Sequence, residues 1–412
     1  MGMTKPLEGI KVVELSTYVA VPACGRMLAD MGARVVKVES PKGDVWRIHG
    51  ANNGIRSDEG ENPLFDLFNS GKECIALDLK NPSGMEAFHR LLGEADVFLS
   101  NTRMKSLVKL GLGWEEMHRR YPGLVYATLS GFGEKGPEAQ SPGFDSVAFW
   151  AKTGFLADMT VGGENSVPVQ HPTSVGDTAT GALLLGGILA ALLQREKTGR
   201  GERISTSLYS AAIWYMGCMV IMAQDKYGLT YPKSREEGGA FRAQFRCADG
   251  EWIMVMILDE AKYAQAYFEA LGRGDLLSDP RFATVQARRS SKRELFQVVE
   301  PIFARRTSGE WLAELEKRDI PCTRLNHFRD IAGSEQAWVN QYIEYEAFPD
   351  GGRAVVPCPP IRFGEEVCHT APAGLLGEDT VRVLERLHYS DAEIRGFLDQ
   401  GAALGHLRGG GA

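Results

Sequence analysis

The chain has 412 residues, more than the roughly 250 to 300 residues at which single hydrophobic cores stop growing, so two domains are expected. Hydrophobic residues make up 44% of the sequence and charged residues 24%, a composition that is typical of soluble globular proteins and excludes extended disorder. The net charge is -7 without a long block of either sign, so neither a nucleic-acid surface nor an anionic-membrane surface is expected.

Short apolar segments alternate with helical patterns through the first half of the chain. Helical periodicity occurs at 22–31 and 84–93. The predicted strands are 10–15, 33–39, 74–79, 96–100, 124–129 and 203–208. This alternation predicts βαβ units around a parallel sheet, and therefore an α/β fold.

Two long apolar segments lie near the middle of the chain. A helix is predicted from about Thr178 to Arg195, and the segment 211–224, rich in Met and aromatic residues, is predicted to be a buried core helix. No run reaches the ~18 uninterrupted apolar residues of a membrane span. Both segments are therefore expected to belong to a protein core.

The pattern changes after Gln224. The segment 227–239 is rich in Gly, Pro and charge, and a hairpin is predicted over 243–247 and 252–257. Amphipathic helices follow, which is consistent with a small α+β domain. The predicted domain organisation is a large domain at 1–224, a smaller α+β domain at 225–325 and a return to the large domain at 326–412.

The seven cysteines are scattered and show no CxxC or mixed His/Cys spacing. Neither a disulfide framework nor a metal site is predicted, and reduced thiols favour a cytoplasmic location. The segment Met1 to Gly9 lacks the basic and apolar pattern of a signal peptide.

Gly131 to Gly136 fits the GxGxxG pattern and follows a predicted strand. A dinucleotide loop needs a helix that begins directly after the glycines, with its N-terminus at the pyrophosphate. Here Pro137 and a polar segment follow instead, so a plain glycine turn is favoured over a nicotinamide dehydrogenase.

Asp177 stands beside Gly176 at the predicted start of the long helix. Backbone N–H groups and the helix dipole are expected to favour its ionised form, and Gly176 is expected to let a substrate approach closely. A helix-capping Asp explains the same spacing. The residues alone leave both interpretations open.

The order and spacing of several motifs resemble class III (CaiB/BaiF) CoA-transferases. The resemblance is densest over residues 7–208 and weaker towards the C-terminus. The motifs are LEGIKVVEL at 7–15, PA at 22–23, GA at 32–33, VKVE at 36–39, LDLK at 77–80, Asn101, GLGW at 111–114, GFG at 131–133, GD at 176–177 and QREKTGRG at 194–201.

The resemblance implies that the carboxylate of Asp177 is the catalytic nucleophile, which attacks an acyl-CoA and carries a covalent intermediate. Gly238 and Gly239 are the implied oxyanion loop, although a surface hinge explains this pair equally well. Coenzyme A or an acyl-CoA is implied as substrate, without a permanently bound cofactor. The residues implied to bind CoA are Thr17, Tyr18, Val19, Ala20, Lys42, Leu77, Lys80, Asn101, Thr102, Arg103, Lys105 and Lys109.

The choice among family members depends on the segment 141–151. The racemase branch uses a histidine where this chain has Phe144, which cannot carry a proton. Phe144, Asp145 and Trp150 instead resemble transferases for (R)-2-hydroxy acids such as phenyllactate or 2-hydroxyisocaproate. An apolar acid pocket with Val19 is expected, because oxalate-handling members carry a glutamine there.

Family architecture also implies a Rossmann-like large domain, a small domain and two chains interlocked as a homodimer. The implied partners are an acyl-CoA, a small carboxylic acid and, as a functional link, a 2-hydroxyacyl-CoA dehydratase. Transfer to carnitine or crotonobetaine, a bile acid, oxalate or formate, or succinate is the alternative within the family. A non-catalytic CoA-binding protein is the alternative outside it.

Overall fold

In this computed structural model, residues 5–161, 166–229, 231–365 and 367–405 are described. The strands in these ranges are β1 Lys11–Leu15, β2 Arg34–Glu39, β3 Glu73–Leu77, β4 Val97–Ser100, β5 Val125–Ser130, β6 Arg203–Ser207, β7 Arg242–Arg246, β8 Trp252–Met256, β9 Cys322–Arg324, β10 Ile343–Ala347, β11 Arg353–Pro357 and β12 Ala403–Leu404.

The α-helices of the same ranges are α1 Ala20–Asp30, α2 Pro63–Asn69, α3 Pro82–Gly93, α4 Met104–Lys109, α5 Trp114–Arg120, α6 Phe155–Asp158, α7 Val175–Thr198, α8 Leu208–Tyr215, α9 Gly217–Met222, α10 Arg235–Gly238, α11 Glu260–Ala270, α12 Val285–Ser290, α13 Lys292–Phe303, α14 Ser308–Glu316, α15 Glu335–Val339, α16 Thr380–Arg386 and α17 Asp391–Asp399. A π-helical segment spans Asp145–Ala151, and short 3-10 turns form at Val45–Ile48, Gly50–Asn53, Asp225–Tyr227, Gly274–Leu277 and Phe328–Gly333.

The chain divides into two compact units. The first unit comprises 1–155, 170–222 and 335–412, and the second comprises 156–169 and 223–334. The predicted large domain, 1–224, includes 156–169, because nothing in the sequence of that short segment signals a change of unit.

The first unit contains a seven-stranded sheet in the order β12-β3-β2-β1-β4-β5-β6. The strands from β3 to β6 pair in parallel, and β12 is antiparallel to β3. The order 3-2-1-4-5-6 is that of Rossmann folds, and it reverses between β1 and β4. The α/β prediction is confirmed, and the predicted strands agree with the observed ones to within a residue or two.

The sheet is buried because helices cover it, which explains why its strands are continuously apolar. Val12, Val13, Val97 and Phe98 of the two central strands are almost fully buried. Phe88 and Leu91 of α3 pack in the same core. Burial of this apolar surface is the main source of the unit's stability.

α7 is the long helix of the first unit. An added Cβ at Gly181 would lie 2.4 Å from the carbonyl oxygen of Ala20, so α7 lies directly against the start of α1. By length and apolar composition α7 could cross a membrane, but core helices of soluble proteins meet the same test, and 44% of its apolar window is buried inside the chain. α7 thus packs as a helix of the first unit.

The segment 211–224 departs from its prediction. It forms parts of two short helices, α8 and α9, and much of its apolar surface faces outwards; Trp214 is 76% exposed and Ile221 is half-exposed. A single buried helix was the wrong prediction, because an apolar stripe shows that a surface avoids water but does not identify what covers it.

The second unit contains the antiparallel sheet β7-β8-β9 with α11, α13 and α14. The predicted hairpin is confirmed by the β7–β8 register, in which Phe245 faces Ile253. Phe245 stacks on Phe303 with ring centroids 4.2 Å apart, and the core includes Phe296 and Trp311. This unit has its own hydrophobic core.

Candidate active site

The loops that follow β1 and β4 meet at the reversal point of the large sheet. The backbone N–H of Thr17 donates to Oδ1 of Asn101 at 3.1 Å, and Nδ2 of Asn101 donates to the carbonyl of Thr17 at 2.7 Å. The backbone N–H of Thr102 donates to Ser100 Oγ at 3.0 Å. In open α/β sheets, ligands bind in the crevice outside the carboxyl ends of the strands at this point. The structure therefore brings together three of the residues predicted to bind CoA.

Tyr18 holds the turn after β1 in an unusual conformation. Its φ is 65°, in the left-handed region that non-glycine residues rarely adopt. Oδ1 of Asp44 accepts from the Tyr18 backbone N–H at 3.0 Å and also from the Trp46 N–H. The other oxygen of Asp44 accepts from Nζ of Lys37 at 2.9 Å, so a buried ion pair fixes this turn.

Five basic residues lie beyond the carboxyl ends of β2, β3 and β4. All five are exposed, and none forms an ion pair within the described parts of the chain. Lys42 and Lys80 follow β2 and β3 in turns, Arg103 directly precedes α4, and Lys105 and Lys109 lie on α4. They belong to the residues predicted to bind CoA: Lys42, Lys80, Arg103, Lys105 and Lys109.

Asp177 lies in the first turn of α7, after the N-cap residue Ser174. Residues four apart share a helix face, so Asp177 is one turn before Gly181, which touches the start of α1 at Ala20. This places the carboxyl group on the side of α7 that faces α1. Its side chain is partly exposed.

Asp145 is packed beneath the first turn of α7. An added Cβ at Gly176 would lie 2.1 Å from Oδ1 of Asp145 and 2.4 Å from Cγ of Phe149. The prediction that Gly176 leaves room for a substrate is therefore wrong, because protein atoms already occupy that space. Asp145 is only 7% exposed, and neither carboxylate oxygen has a hydrogen bond of good geometry within the described ranges.

The two carboxyl groups influence each other. Burial, and secondarily the negative charge of Asp145, raises the pKa of Asp177 to about 7. Burial also raises the pKa of Asp145, against the opposing effects of His171, the indole of Trp150 and nearby backbone N–H groups. The expectation that the helix start favours ionised Asp177 is wrong, since burial and a like charge outweigh the helix dipole.

Several side chains predicted to touch the ligands face the core instead. Val19 is 0% exposed and packs with Ala23 and Phe65, and Leu77 is 2% exposed within the core of the large sheet. Ala20 is also buried. The burial of these three residues disfavours contacts between their side chains and a ligand.

The predicted aromatic acid pocket is only partly assembled. Phe144 is 51% exposed and meets the ring of Tyr18 edge to face, with centroids 5.4 Å apart. Trp150 is buried and stacks with His171 at 5.5 Å. Phe144 thus contacts the turn after β1, whereas Trp150 belongs to the segment that packs beneath the first turn of α7.

The glycine motif at 131–136 has a structural explanation. An added Cβ at Gly131 would lie 2.6 Å from Cα of Gly143, so the two backbones cross in close contact just before Phe144 and Asp145. No helix begins directly after the motif. This geometry agrees with the prediction of a turn.

Gly238 and Gly239 lie in the second unit, at the end of α10. Gly239 has a φ of 74°, a conformation that strains any side chain. Both residues line a cavity within that unit. Their role as an oxyanion loop stays a prediction.

The sequence analysis missed the buried charges beneath the crevice. Glu14 and Lys37 are fully buried on neighbouring strands, and Lys72 forms an ion pair with Glu14 at 2.8 Å. A signal was present for two of them, because Glu14 and Lys37 each interrupt an otherwise apolar strand. The contact between His171 and Trp150 could not be predicted from such a pattern, since the two residues are far apart in sequence.

Comparison with known proteins gives a consistent result. The sequence profile of CoA-transferase family III matches residues 7–380. The chain is 35% identical over 395 residues to an (R)-2-hydroxy-4-methylpentanoate CoA-transferase from Clostridioides difficile, covering 95% of this chain and 98% of that protein. It is 34% identical over 402 residues to a cinnamoyl-CoA:phenyllactate CoA-transferase from Clostridium sporogenes, covering 95% of each.

Solved structures share the fold. A CaiB/BaiF family protein from Brucella suis superposes with a TM-score of 0.77 at 28% identity, covering 93% of this chain and all of that one. The match spans nearly the full length of both chains.

Proposed function

The chain belongs to CoA-transferase family III, and from this premise we propose that it transfers CoA from an acyl-CoA to an (R)-2-hydroxy acid through a covalent intermediate on Asp177. The observation that carries this proposal is the state of Asp177. Its partly exposed carboxyl group lies in the first turn of α7 next to the buried carboxyl group of Asp145, and burial, with the charge of Asp145, raises its pKa to about 7. Strongly perturbed carboxyl groups of this kind cluster at active sites.

The chemistry requires ionised Asp177. One of its oxygens attacks the thioester carbonyl of the donor, the C–S bond breaks, and a mixed anhydride forms as the CoA thiolate leaves. The thiolate then attacks the aspartyl carbonyl, which releases the donor acid, or stays poised beside the anhydride. The acceptor carboxylate then attacks the aspartyl carbonyl and forms a second mixed anhydride. The CoA thiolate attacks the acyl carbonyl of this anhydride, which forms the new acyl-CoA and restores the carboxylate of Asp177.

The crevice after β1 and β4 is the proposed CoA site. The exposed cations after β2, β3 and β4 form no ion pair among the residues that the structure describes, and their positive charge suits the phosphates of CoA. The Thr17–Asn101 hydrogen bonds fix the crevice before ligand arrives. Because Val19 and Leu77 are buried, we assign their positions backbone contacts only.

The acid acceptor is proposed from two supports. Two relatives at 34–35% identity have names that include a 2-hydroxy acid, which is (R)-2-hydroxy-4-methylpentanoate in one and phenyllactate in the other. Both acids have hydrocarbon side chains. Phe144 presents a half-exposed ring beside Tyr18, and an apolar surface of this kind suits a hydrocarbon side chain better than a second carboxylate. Preferential use of oxalate or succinate would contradict this assignment.

We also propose that two chains form the interlocked homodimer of the family. The support is the apolar surface of α8 and α9, where Trp214, Tyr215 and Ile221 are exposed. Large apolar side chains that are exposed together on neighbouring helices are typical of protein–protein interfaces. Light scattering that gave a monomer at micromolar concentration would contradict the assembly.

A reducing compartment, the cytoplasm, is the proposed location, since all seven cysteines are free thiols. A 2-hydroxyacyl-CoA dehydratase is the proposed consumer of the product, because a 2-hydroxyacyl thioester is the substrate class of such an enzyme.

We propose Gly238 and Gly239 as the donors to the oxyanion, through backbone N–H groups. A racemase is disfavoured by Phe144.

Mass spectrometry tests the central assignment. The protein is incubated with phenyllactyl-CoA or another acyl-CoA, then trapped with hydroxylamine or borohydride, and the peptide that contains Asp177 is analysed. Wild type is expected to carry a hydroxamate or reduced side chain at Asp177. The Asp177→Asn variant should carry none and lose activity on the order of 10³-fold or more.

The Glu138→Gln variant is the matched control, since Glu138 is an exposed carboxylate paired with Lys152. It should form the adduct normally. Full transferase activity in Asp177→Asn, or CoA binding without any adduct in wild type, would establish another nucleophile or a non-catalytic binder.

A further inference from the structure

The second unit contains a cavity of about 330 Å³ next to the glycine pair. Its wall joins the end of α10, strand β7, the start of α11, the end of α12 and the start of α13. The lining includes four cations and two carboxylates, which leaves a formal excess of two positive charges. The cations are Arg242, Arg288, Arg289 and Lys292, and the carboxylates are Glu237 and Glu260.

Glu260 compensates only one of these cations well. Arg288 is 4% exposed, lies 3.4 Å from Oε2 of Glu260 and donates to the carbonyl of Phe282 at 2.8 Å. Arg242 and Arg289 are farther from Glu260, at 3.8 and 3.9 Å, and are largely exposed. A buried arginine therefore forms a fixed floor, and two guanidinium groups remain available for a second anion.

Lys292 adds a cation where helix stability alone would not place one. It is the first residue of α13, and a positive charge at a helix N-terminus is unfavourable. No ion pair involves Lys292 within the described segments of the chain. An anion bound in front of Lys292 would offset this unfavourable charge.

We propose that this cavity is a binding site for a phosphate group, held by Arg242, Arg289 and Lys292 above the fixed Arg288. Guanidinium groups match phosphate oxygens in paired hydrogen bonds, and clustered arginines are the usual phosphate ligands of proteins. The cavity has room for more than a free phosphate ion, so a phosphate monoester also fits.

A ligand in this cavity would act on the glycine turn. An added Cβ at Gly239 would lie 3.4 Å from Cβ of Lys292, so the turn packs against the same residue that binds the phosphate. Occupancy is therefore expected to order the segment 237–242. The inference goes beyond the proposed transferase reaction, which uses the backbone N–H groups of Gly238 and Gly239 at the border of this cavity but assigns no ligand to the cavity itself.

Hydrogen exchange of the full-length protein tests the site. Inorganic phosphate, at constant ionic strength, is expected to protect amides in peptides that cover 237–242 and 285–295. The double variant Arg289→Gln/Lys292→Gln should weaken this response about tenfold or more, since two charged partners are lost. Glycerol 3-phosphate, a phosphate monoester, is the second probe, and a stronger response to it would identify an ester as the ligand.

Two control variants separate the site from other cations. Arg246→Gln changes an exposed arginine on the same strand as Arg242, and Lys105→Gln changes the proposed CoA crevice. Both should keep the protection. Absence of protection, equal protection by citrate, or an unchanged response in the double variant would overturn the proposal. Since the readout is exchange and not turnover, those outcomes leave the assignment of Asp177 unaffected.

Discussion

Two groups of buried charges in the first unit are built in opposite ways. Beneath the β1 turn, Lys37 contacts Asp44 at 2.9 Å and Glu14 at 3.4 Å. At the start of α7, Asp145 and Asp177 lie together, and no lysine or arginine forms an ion pair with either within the described residues. One group neutralises its charges, and the other places two like charges side by side.

The pKa values follow this difference. Burial alone would lower the pKa of Lys37, yet Asp44 and Glu14 raise it above its usual value. At Asp177 burial and Asp145 act in the same direction and raise the pKa to about 7. Paired buried charges hold the turn at Tyr18 in place. Unpaired buried charges lower the stability of the folded state, and they are retained where a reaction uses them.

Breaking the paired group should have the largest effect on stability. Lys37→Met leaves Glu14 and Asp44 with one buried cation fewer, which is expected to lower the free energy of unfolding by about 3–5 kcal/mol. Urea denaturation measures it. Lys11→Met is the matched control, because Lys11 lies at the other end of β1 and forms only an exposed pair with Glu94; it should cost no more than about 1 kcal/mol.

An equal stability for both lysine variants would show that the buried network contributes nothing specific. The comparison between paired and unpaired charges would then fail.

A third buried carboxyl group sharpens the comparison away from the active site. Glu346 on β10 is almost fully buried, and burial followed by the charge of Asp66 raises its pKa to about 7. A raised carboxyl pKa means that the folded state loses stability as pH rises from about 4.5 to about 7. Glu346→Gln should therefore add about 1–2 kcal/mol at pH 8 and nothing at pH 4.

Thermal unfolding at the two pH values checks this sign. Glu344→Gln on the same strand is the control, since Glu344 accepts from His369 and from the backbone of Thr370. Its loss should destabilise the protein. A destabilised Glu346→Gln variant at pH 8 would show that the ionised carboxylate has a favourable role.

Removing the like charge at the active site should change the pH dependence of the reaction. Asp145→Asn is expected to lower the pKa of Asp177 from about 7, so the acid limb of kcat/KM moves to lower pH. A shift of about half to one pH unit is expected, because desolvation remains. Glu138→Gln removes an exposed carboxylate and should leave the acid limb of kcat/KM unchanged. An unshifted acid limb in Asp145→Asn would exclude electrostatic coupling between Asp145 and Asp177.

The exposed cations should have the smallest effects. Lys105→Gln removes one solvated charge from the crevice edge, and KM for the acyl-CoA is expected to rise about threefold, less at high salt, with kcat unchanged. Arg119→Gln, another exposed cation of the first unit, is the control. A changed kcat with constant KM would place Lys105 in a different role.

Sequence patterns predicted the strands of the large sheet and the hairpin of the second unit well. Their signal is local, because apolar runs and turn residues report on neighbouring positions. The family and the candidate Asp177 were also within reach, since ordered motifs over residues 7–208 are specific. The neighbours of Asp177 were not, because Asp145 precedes it by 32 positions and meets it only through the packing of α7.

The sequence by itself determined the alternation of strands and helices, the family and the identity of the proposed nucleophile, because each depends on residue types in a fixed order. Tertiary structure decided that Val19 is buried, that α8 and α9 expose their apolar faces, and that burial, and secondarily the charge of Asp145, raises the pKa of Asp177. These properties depend on which distant segments come into contact. Burial and electrostatic coupling are set by distances in space, which one chain's order of residues does not contain.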